Sequence, residues 1–253
     1  MMFRSMRGTR ASATATAAVL VALVALAGLT AGMAADKPAE SPATKPDADG
    51  FVSIFNGKDL TGWDAKPGWW SVEDGALTAQ STPDKPCKEC NYLIWTGGKP
   101  GDFELRLKFR MLAHNSGIQY RSKDEGKFVV SGYQADIDYG NTYTGMLYEE
   151  RGRGILVKRG TKMTVQADGK KEVQGQTATD KEILDSIKKD DWNEYVITCQ
   201  GNHIVQKLNG ITTVDLTDNQ ESKRAMSGVI AFQLHAGPPM KVQFKDIFLK
   251  ESK

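Results

Sequence analysis

The stretch GYQADIDYG, residues 132–140, carries the densest set of side chains able to do chemistry. Written as a strand it alternates, with Tyr133, Ala135 and Ile137 on one side and Gln134, Asp136 and Asp138 on the other. Two acids on one strand face suggest glycosidic bond cleavage. In its retaining form that reaction needs a nucleophile and a general acid about 5 Å apart. Residues i and i+4 of a strand lie roughly 13 Å apart, and i and i+2 come nearer the required range. The analogue is the E-x-D-x-x-E strand of a sandwich endo-glucanase. Here Gln134 replaces the first acid, and Asp138 falls one residue short of the third. An amide can neither attack nor protonate. The strand therefore looks like a wall that holds a hydroxylated ligand, with Asp138 its best candidate for chemistry.

Other strands supply matching groups. HNSGIQYRS places Asn115, Gly117, Gln119 and Arg121 on one parity. GVIAFQLHAGPPM points Phe232 and Leu234 inward, and Gln233 and His235 outward. Tyr148 and Glu150 of GMLYEERGRG join at the rim. Acids, amides, one Arg and one of only three histidines make a set suited to sugar hydroxyls and a carbonyl. His114 is a weaker candidate at a turn, and His203 reads as surface. Trp63, Trp69 and Trp70 fit core and sheet-edge packing, or a platform for stacking sugars.

These groups must be positioned by strands. From Phe51 onward, short alternating or apolar runs are separated by Gly, Asn, Asp and Pro at spacings of about 8–12 residues, the pattern of an all-β sandwich. In DFELRLKFRM, Phe103, Leu105, Leu107 and Phe109 alternate with charged residues, so one face is core and one is wet. HIVQKL and ITTVDL are joined by Asn209-Gly210, a pair that tolerates the positive φ angles of a type I′ hairpin turn. One short connecting helix is expected, with Thr179 as cap, Glu182 completing a capping box, and Ile183, Leu184 and Ile187 as its apolar side. The natural site in such a fold is the concave, solvent-facing side of one sheet.

The start of the chain reads as an export signal. MMFRSMRGTR is basic, the following run is apolar and small, and cleavage is expected after Ala34 or Ala35. An uncleaved membrane anchor is the alternative. Residues 36–50 read as a Pro- and Asp-rich tether, and residues 51–253 as one domain. The exported location is periplasmic or extracellular, with no stable membrane insertion after cleavage. Of 33 basic residues, Arg4, Arg7 and Arg10 fall in the signal, leaving 30 against 31 acidic ones and a charge of −1. That balance gives no charge reason to bind nucleic acid. Cys87 and Cys90 form a CKEC pair without the βα turn of a redox motif or the second half of a zinc site, so a structural disulfide or plain thiols are expected. Cys199 reads as core.

FVSIFNGKDLTGW, DFELRLKFR, NSGIQYRS, GYQADID, LYEERGRGIL and QLHAGPPMKVQFKDIFLK together resemble the 3-keto-disaccharide hydrolase domain family over residues 51–251. Many members carry Glu at the position of Gln134, so an acid role there does not transfer. The resemblance implies a concanavalin-A-like jelly-roll sandwich acting on glycosides oxidised at C3. A 3-keto group acidifies the C2 hydrogen, a base removes it, and the anomeric substituent leaves by elimination; water then adds, giving net hydrolysis. On this sequence the resemblance together with strand parity puts His235 as base or acid, Asp138 beside it and Arg121 at the enolate oxygen. Asn115, Gln119, Gln134, Asp136, Tyr148 and Gln233 would hold the sugar. No cofactor is implied with certainty, and a divalent metal held through His235 and nearby carboxylates is left open although no ligand spacing supports it. The rival functions are a non-catalytic carbohydrate-binding module and a retaining endo-glucanase.

Overall fold

The computed structural model describes residues 46–252. The expected signal, residues 1–35, and residues 36–45 of the expected tether lie outside the described residues. Residues 46–50 depart from a free tether. Asp47 Oδ1 accepts from the backbone N–H groups of Asp49 and Phe51 at 2.9 and 2.8 Å, closing a turn against the domain.

The described chain runs through β1 (Val52–Ser53), β2 (Trp63–Asp64), β3 (Trp70–Glu73), β4 (Ala76–Ser81), β5 (Asn91–Trp95) and β6 (Phe103–Ala113). Next come β7 (Asn115–Gly126), β8 (Val129–Asp138), β9 (Leu147–Glu150), β10 (Gly154–Val157), β11 (Thr161–Val165) and β12 (Lys171–Gln176). Helix α1 (Asp180–Ser186) precedes β13 (Asn193–Gln200), β14 (His203–Leu208), β15 (Ile211–Asp218), β16 (Val229–Leu234) and β17 (Met240–Glu251). One sheet has the order β12-β11-β15-β14-β13-β6-β17-β4-β3, with β1 also on β17; the other has the order β10-β9-β8-β7-β16-β5-β2.

The two sheets face each other through one apolar core. Phe232 of β16 stacks on Phe244 of β17 at 4.1 Å between ring centroids and on Trp63 at 5.2 Å. Phe103 of β6 meets Tyr120 of β7 edge-on at 6.5 Å. The alternation in β6 places Phe103, Leu105, Leu107 and Phe109 in that core, as its sequence dictates. Trp63 and Trp70 are buried in the core, and Trp69 packs against it beneath Lys85. The result is an all-β sandwich with one helix.

Local signals behave as expected. Asn209 and Gly210 have φ of 48° and 84° and close the β14–β15 hairpin. Thr179 and Glu182 form the reciprocal capping box of α1, whose Ile183 is buried. WSVEDGALTA is a hairpin rather than one strand, because Asp74-Gly75 turns with φ of 50° and 75°. Cys87 and Cys90 are free thiols, and Cys199 is buried.

Candidate functional site

The outer face of the seven-stranded sheet gathers the polar residues of four strands. Register pairs Gln119 with Gln134 and Gly117 with Asp136 across β7 and β8. It pairs Gln134 with Tyr148 across β8 and β9, Ala231 with Gln119 across β16 and β7, and Gln233 with Tyr92 across β16 and β5. The β16 and β5 side of the face is apolar, formed by Tyr92, Ile94, Val229 and Ala231 with Cys90 against them. An apolar wall opposite a few convergent polar groups is the usual make-up of a small-molecule site.

A single-file hydrogen-bond chain crosses this face. Ser122 Oγ donates to Gln119 Oε1 at 2.6 Å, Gln119 Nε2 donates to Gln134 Oε1 at 2.7 Å, and Gln134 Nε2 donates to Asp136 Oδ1 at 2.6 Å. Every donor points toward Asp136, so each bond polarises the next. Gly117 makes this route open: a Cβ there would lie 2.2 Å from Gln134 Cδ. The chain fixes one carboxylate oxygen of Asp136, while Oδ2 has no hydrogen-bond partner among the described residues. Burial pushes the Asp136 carboxyl up to about 7; the Gln134 amide opposes this, and the charges of Asp138 and Glu150 add to it.

Glu150 reaches over the same face, with Oε2 3.5 Å from Gln233 Nε2. Gln233 Nε2 donates to the Tyr92 hydroxyl at 2.9 Å. Its other atom, Oε1, is buried with no partner in the structure, an acceptor that a ligand hydroxyl would satisfy. Burial, and then the charge of Glu150, raise the phenol pKa of both Tyr92 and Tyr148, so both remain neutral O–H donors. Burial likewise raises Cys90, whose sulfur accepts from the Ala236 N–H at 3.3 Å.

Five expected binding residues thus come together: Gln119, Gln134, Asp136, Tyr148 and Gln233. Asn115 sits at the far end of the row, opposite Asp138 in register. The expected catalytic trio does not assemble. Arg121 occupies a bulge with φ of 45°, and the β7–β8 register shifts between Tyr120 and Lys123. The extra residue reverses parity, sending Ser122 to the outer face and Arg121 away from it. The guanidinium, fully buried, donates to Gly101 O, Gly201 O and Asp102 Oδ1 at 2.8, 2.6 and 2.9 Å. It is a bolt between the loop before β6 and the β13–β14 turn.

Asp138 is spent on its own loop. Its carboxylate accepts from the backbone N–H groups of Thr142, Tyr143 and Thr144 and from the Thr144 hydroxyl. It lies six residues along the ladder from Arg121, about 20 Å at ~3.3 Å per residue. His235 stands just past the end of β16, with Nδ1 2.6 Å from Ala236 O and its ring edge-on to His114 at 5.0 Å between centroids. No hydrogen bond or ring contact joins it to Asp138 or Arg121. Among the described residues no three His, Cys, Asp or Glu side chains converge to hold a metal, so the divalent cation left open by the sequence has no ready ligand set there.

Tyr92 is not singled out by the sequence because it lies in NYLIWT, where a run apolar on both faces hides which side is wet, and Cys90 reads only as half of the CKEC pair. LYEERGRG is divided by the pleat. Glu149 and Arg153 turn inward to Asp218, and Glu150 and Arg151 are left at the outer face.

Residues 50–250 match the family model of the 3-keto-alpha-glucoside-1,2-lyase-like domain. The chain belongs to this family. A 3-keto-disaccharide hydrolase of Bacteroides thetaiotaomicron is 31% identical over 86 residues, 31% of this chain and 29% of that protein. The match therefore spans less than a third of the relative. Among solved structures, a glycosyl hydrolase candidate from Parabacteroides distasonis superposes with a TM-score of 0.53 at 19% identity, covering 80% of this chain and 99% of that one. A Bacillus subtilis protein with a galectin-like fold gives 0.50 at 10% identity, covering 76% and 90%. At these identities the likeness is one of fold. The 3-keto-alpha-glucoside-1,2-lyase-like domain of this chain is a galectin-like sandwich whose polar outer face is built on β5, β7, β8, β9 and β16.

Proposed function

We propose that the chain cleaves 3-keto-glycosides by removing the C2 proton with Asp136. The observation that carries this is the state of that carboxylate: one oxygen is held by the amide chain, the other has no hydrogen-bond partner among the described residues, and the group is buried on the polar outer face. A base with a pKa near the working pH combines correct protonation with driving force. When Asp136 takes the C2 proton, the C–H electron pair forms the enolate double bond to C3. The neutral hydroxyls of Tyr148 and Tyr92 supply donors for the developing C3 oxyanion. The C1–O bond then breaks as the enolate electrons re-form the C3 carbonyl and make the C1=C2 bond, and the departing oxygen takes the proton that Asp136 has just accepted, which returns the base to its ionised form. Water added back to the enone completes net hydrolysis. Gln233 Oε1 takes a sugar hydroxyl and fixes the ring.

The family match supports the substrate class, and the site supports the choice of base. Turnover of a 3-keto-disaccharide in D2O should place deuterium at C2 of the ketosugar product above the enzyme-free level, read by proton NMR. Product without C2 deuterium would mean direct displacement at C1 and would overturn the mechanism. A second reading is a binding module, favoured by the apolar wall and paired amides; tight binding of the ketosugar with no product would select it. The endo-glucanase reading lacks its nucleophile, since Gln134 lies locked between Gln119 and Asp136. Hydrolysis of unoxidised β-glucan would restore it.

A further inference from the structure

The polar face opens at one end into a cavity of about 640 Å³ between the β7–β8 ladder, the chain after β9 and the segment before β16. Two residues join it to the site. Ser122 lines the cavity and begins the amide chain to Asp136, and Glu150 lines the cavity and reaches Gln233. A volume of this size accommodates a sugar beyond the one being cleaved.

The lining is charged unevenly. Six cationic and three acidic residues line it. Arg121 and Arg153 are consumed by Asp102 and by Glu149 and Asp218, and Lys123 pairs with Glu125. Lys99, Arg151 and Lys223 are exposed and have no hydrogen bond or ion pair from their side chains among the described residues. They come from three separate segments: the loop after β5, the turn after β9 and the loop before β16. Of the lining acids Glu149 is taken by Arg153, and Asp124 and Glu150 have no ion pair, so three unpaired cations from three segments stand against two acids and leave the cavity a net receptor for negative charge.

We propose that this cavity is the subsite for the leaving part of the substrate, and that it selects a sugar carrying an anionic substituent, such as a carboxylate or sulfate. The proposal rests on the outer face being where glycosides bind. It goes further in assigning a charge to the second sugar.

The test uses two 3-keto-disaccharides identical except at C6 of the leaving sugar, one a hydroxymethyl and one a carboxylate, with a 6-sulfate as a third arm. At low salt the carboxylate substrate should show a KM about fivefold below the neutral one, and the advantage should shrink on raising NaCl to about 0.5 M. Lys99→Gln combined with Lys223→Gln should remove the advantage while leaving kcat and KM for the neutral substrate within twofold. Both lysines are exposed, so the variant should fold. Preference for sulfate over carboxylate would set the anion's identity within the proposal. Equal KM for charged and neutral substrates, or equal losses for both in the variant, would overturn it. If no ketosugar is turned over, the proposed chemistry fails, and calorimetric titration with the unoxidised acidic and neutral disaccharides then decides the subsite: tighter binding of the acidic sugar that salt and the double variant abolish supports it, and equal or absent binding of the acidic sugar overturns it.

Discussion

Asp136 is a carboxylic acid held where ionisation is costly, and two expectations follow at the scale of this one residue. Activity should rise with pH through about 7, because the base must be ionised. Gln134→Leu removes the amide that favours the charged form, so the same limb should move to higher pH in rate profiles. Asp136→Asn should lower kcat by about 10²-fold or more. The variant should also be the more stable protein in alkali. The folded-state pKa of Asp136 lies above its value of 3.8 in an unstructured chain, so the folded state binds the extra proton between about pH 4 and 7. The stabilisation tied to that proton is complete below pH 4 and lost as pH rises through 7. The unfolding free energy of wild type from urea titration should therefore fall over this window, by an amount on the order of a few kcal/mol, and that of Asp136→Asn should lack this drop. An equal slope in both would show that Asp136 is not the group.

At the scale of single elements, β7 shows how one inserted residue relocates a charge. Uniform alternation puts Arg121 beside Gln119, and the bulge at Tyr120–Lys123 moves it through the sheet to Gly101, Asp102 and Gly201. Arg121→Met should cost about 2–4 kcal/mol in chemical denaturation, because two carbonyls and a carboxylate lose their donor. Activity of the folded fraction should stay within about threefold; a loss near that of Asp136→Asn would return Arg121 to the chemistry. What was legible in the sequence divides along the same line. The hairpin at Asn209-Gly210, the capping box at Thr179 and the core face of β6 depend on residues close in sequence. That Gln119, Gln134, Asp136, Tyr148 and Gln233 share one face follows from parity in unbroken stretches of ladder. Arg121 was misplaced because a bulge leaves no mark in a residue string. The partners of Asp138 are backbone amides of the next loop, which side-chain pattern cannot display.

At the scale of the whole molecule, the two sheets are clasped at their ends as well as through the core. Arg153 donates to Glu149 and to Asp218 at the end of β15, and Tyr133 of β8 donates to the same Asp218 at 2.6 Å. Arg153→Met would leave two buried carboxylates facing each other without a cation. We expect a loss of about 3–5 kcal/mol, measured as a lowered urea midpoint with unchanged slope. The order of strands has a separate consequence. β16 lies between β7 and β5, and β17 lies between β6 and β4, with β1 also resting on it. Both sheets therefore have gaps at their centres until the last described strands arrive. Before then the ladders β12-β11-β15-β14-β13-β6 and β10-β9-β8-β7 can form, but β3-β4 and β2-β5 have nothing to join them to their sheets. The sandwich cannot close before Val229–Glu251 has been made, and a nascent chain stalled before Val229 should be cut by protease far faster than the complete domain.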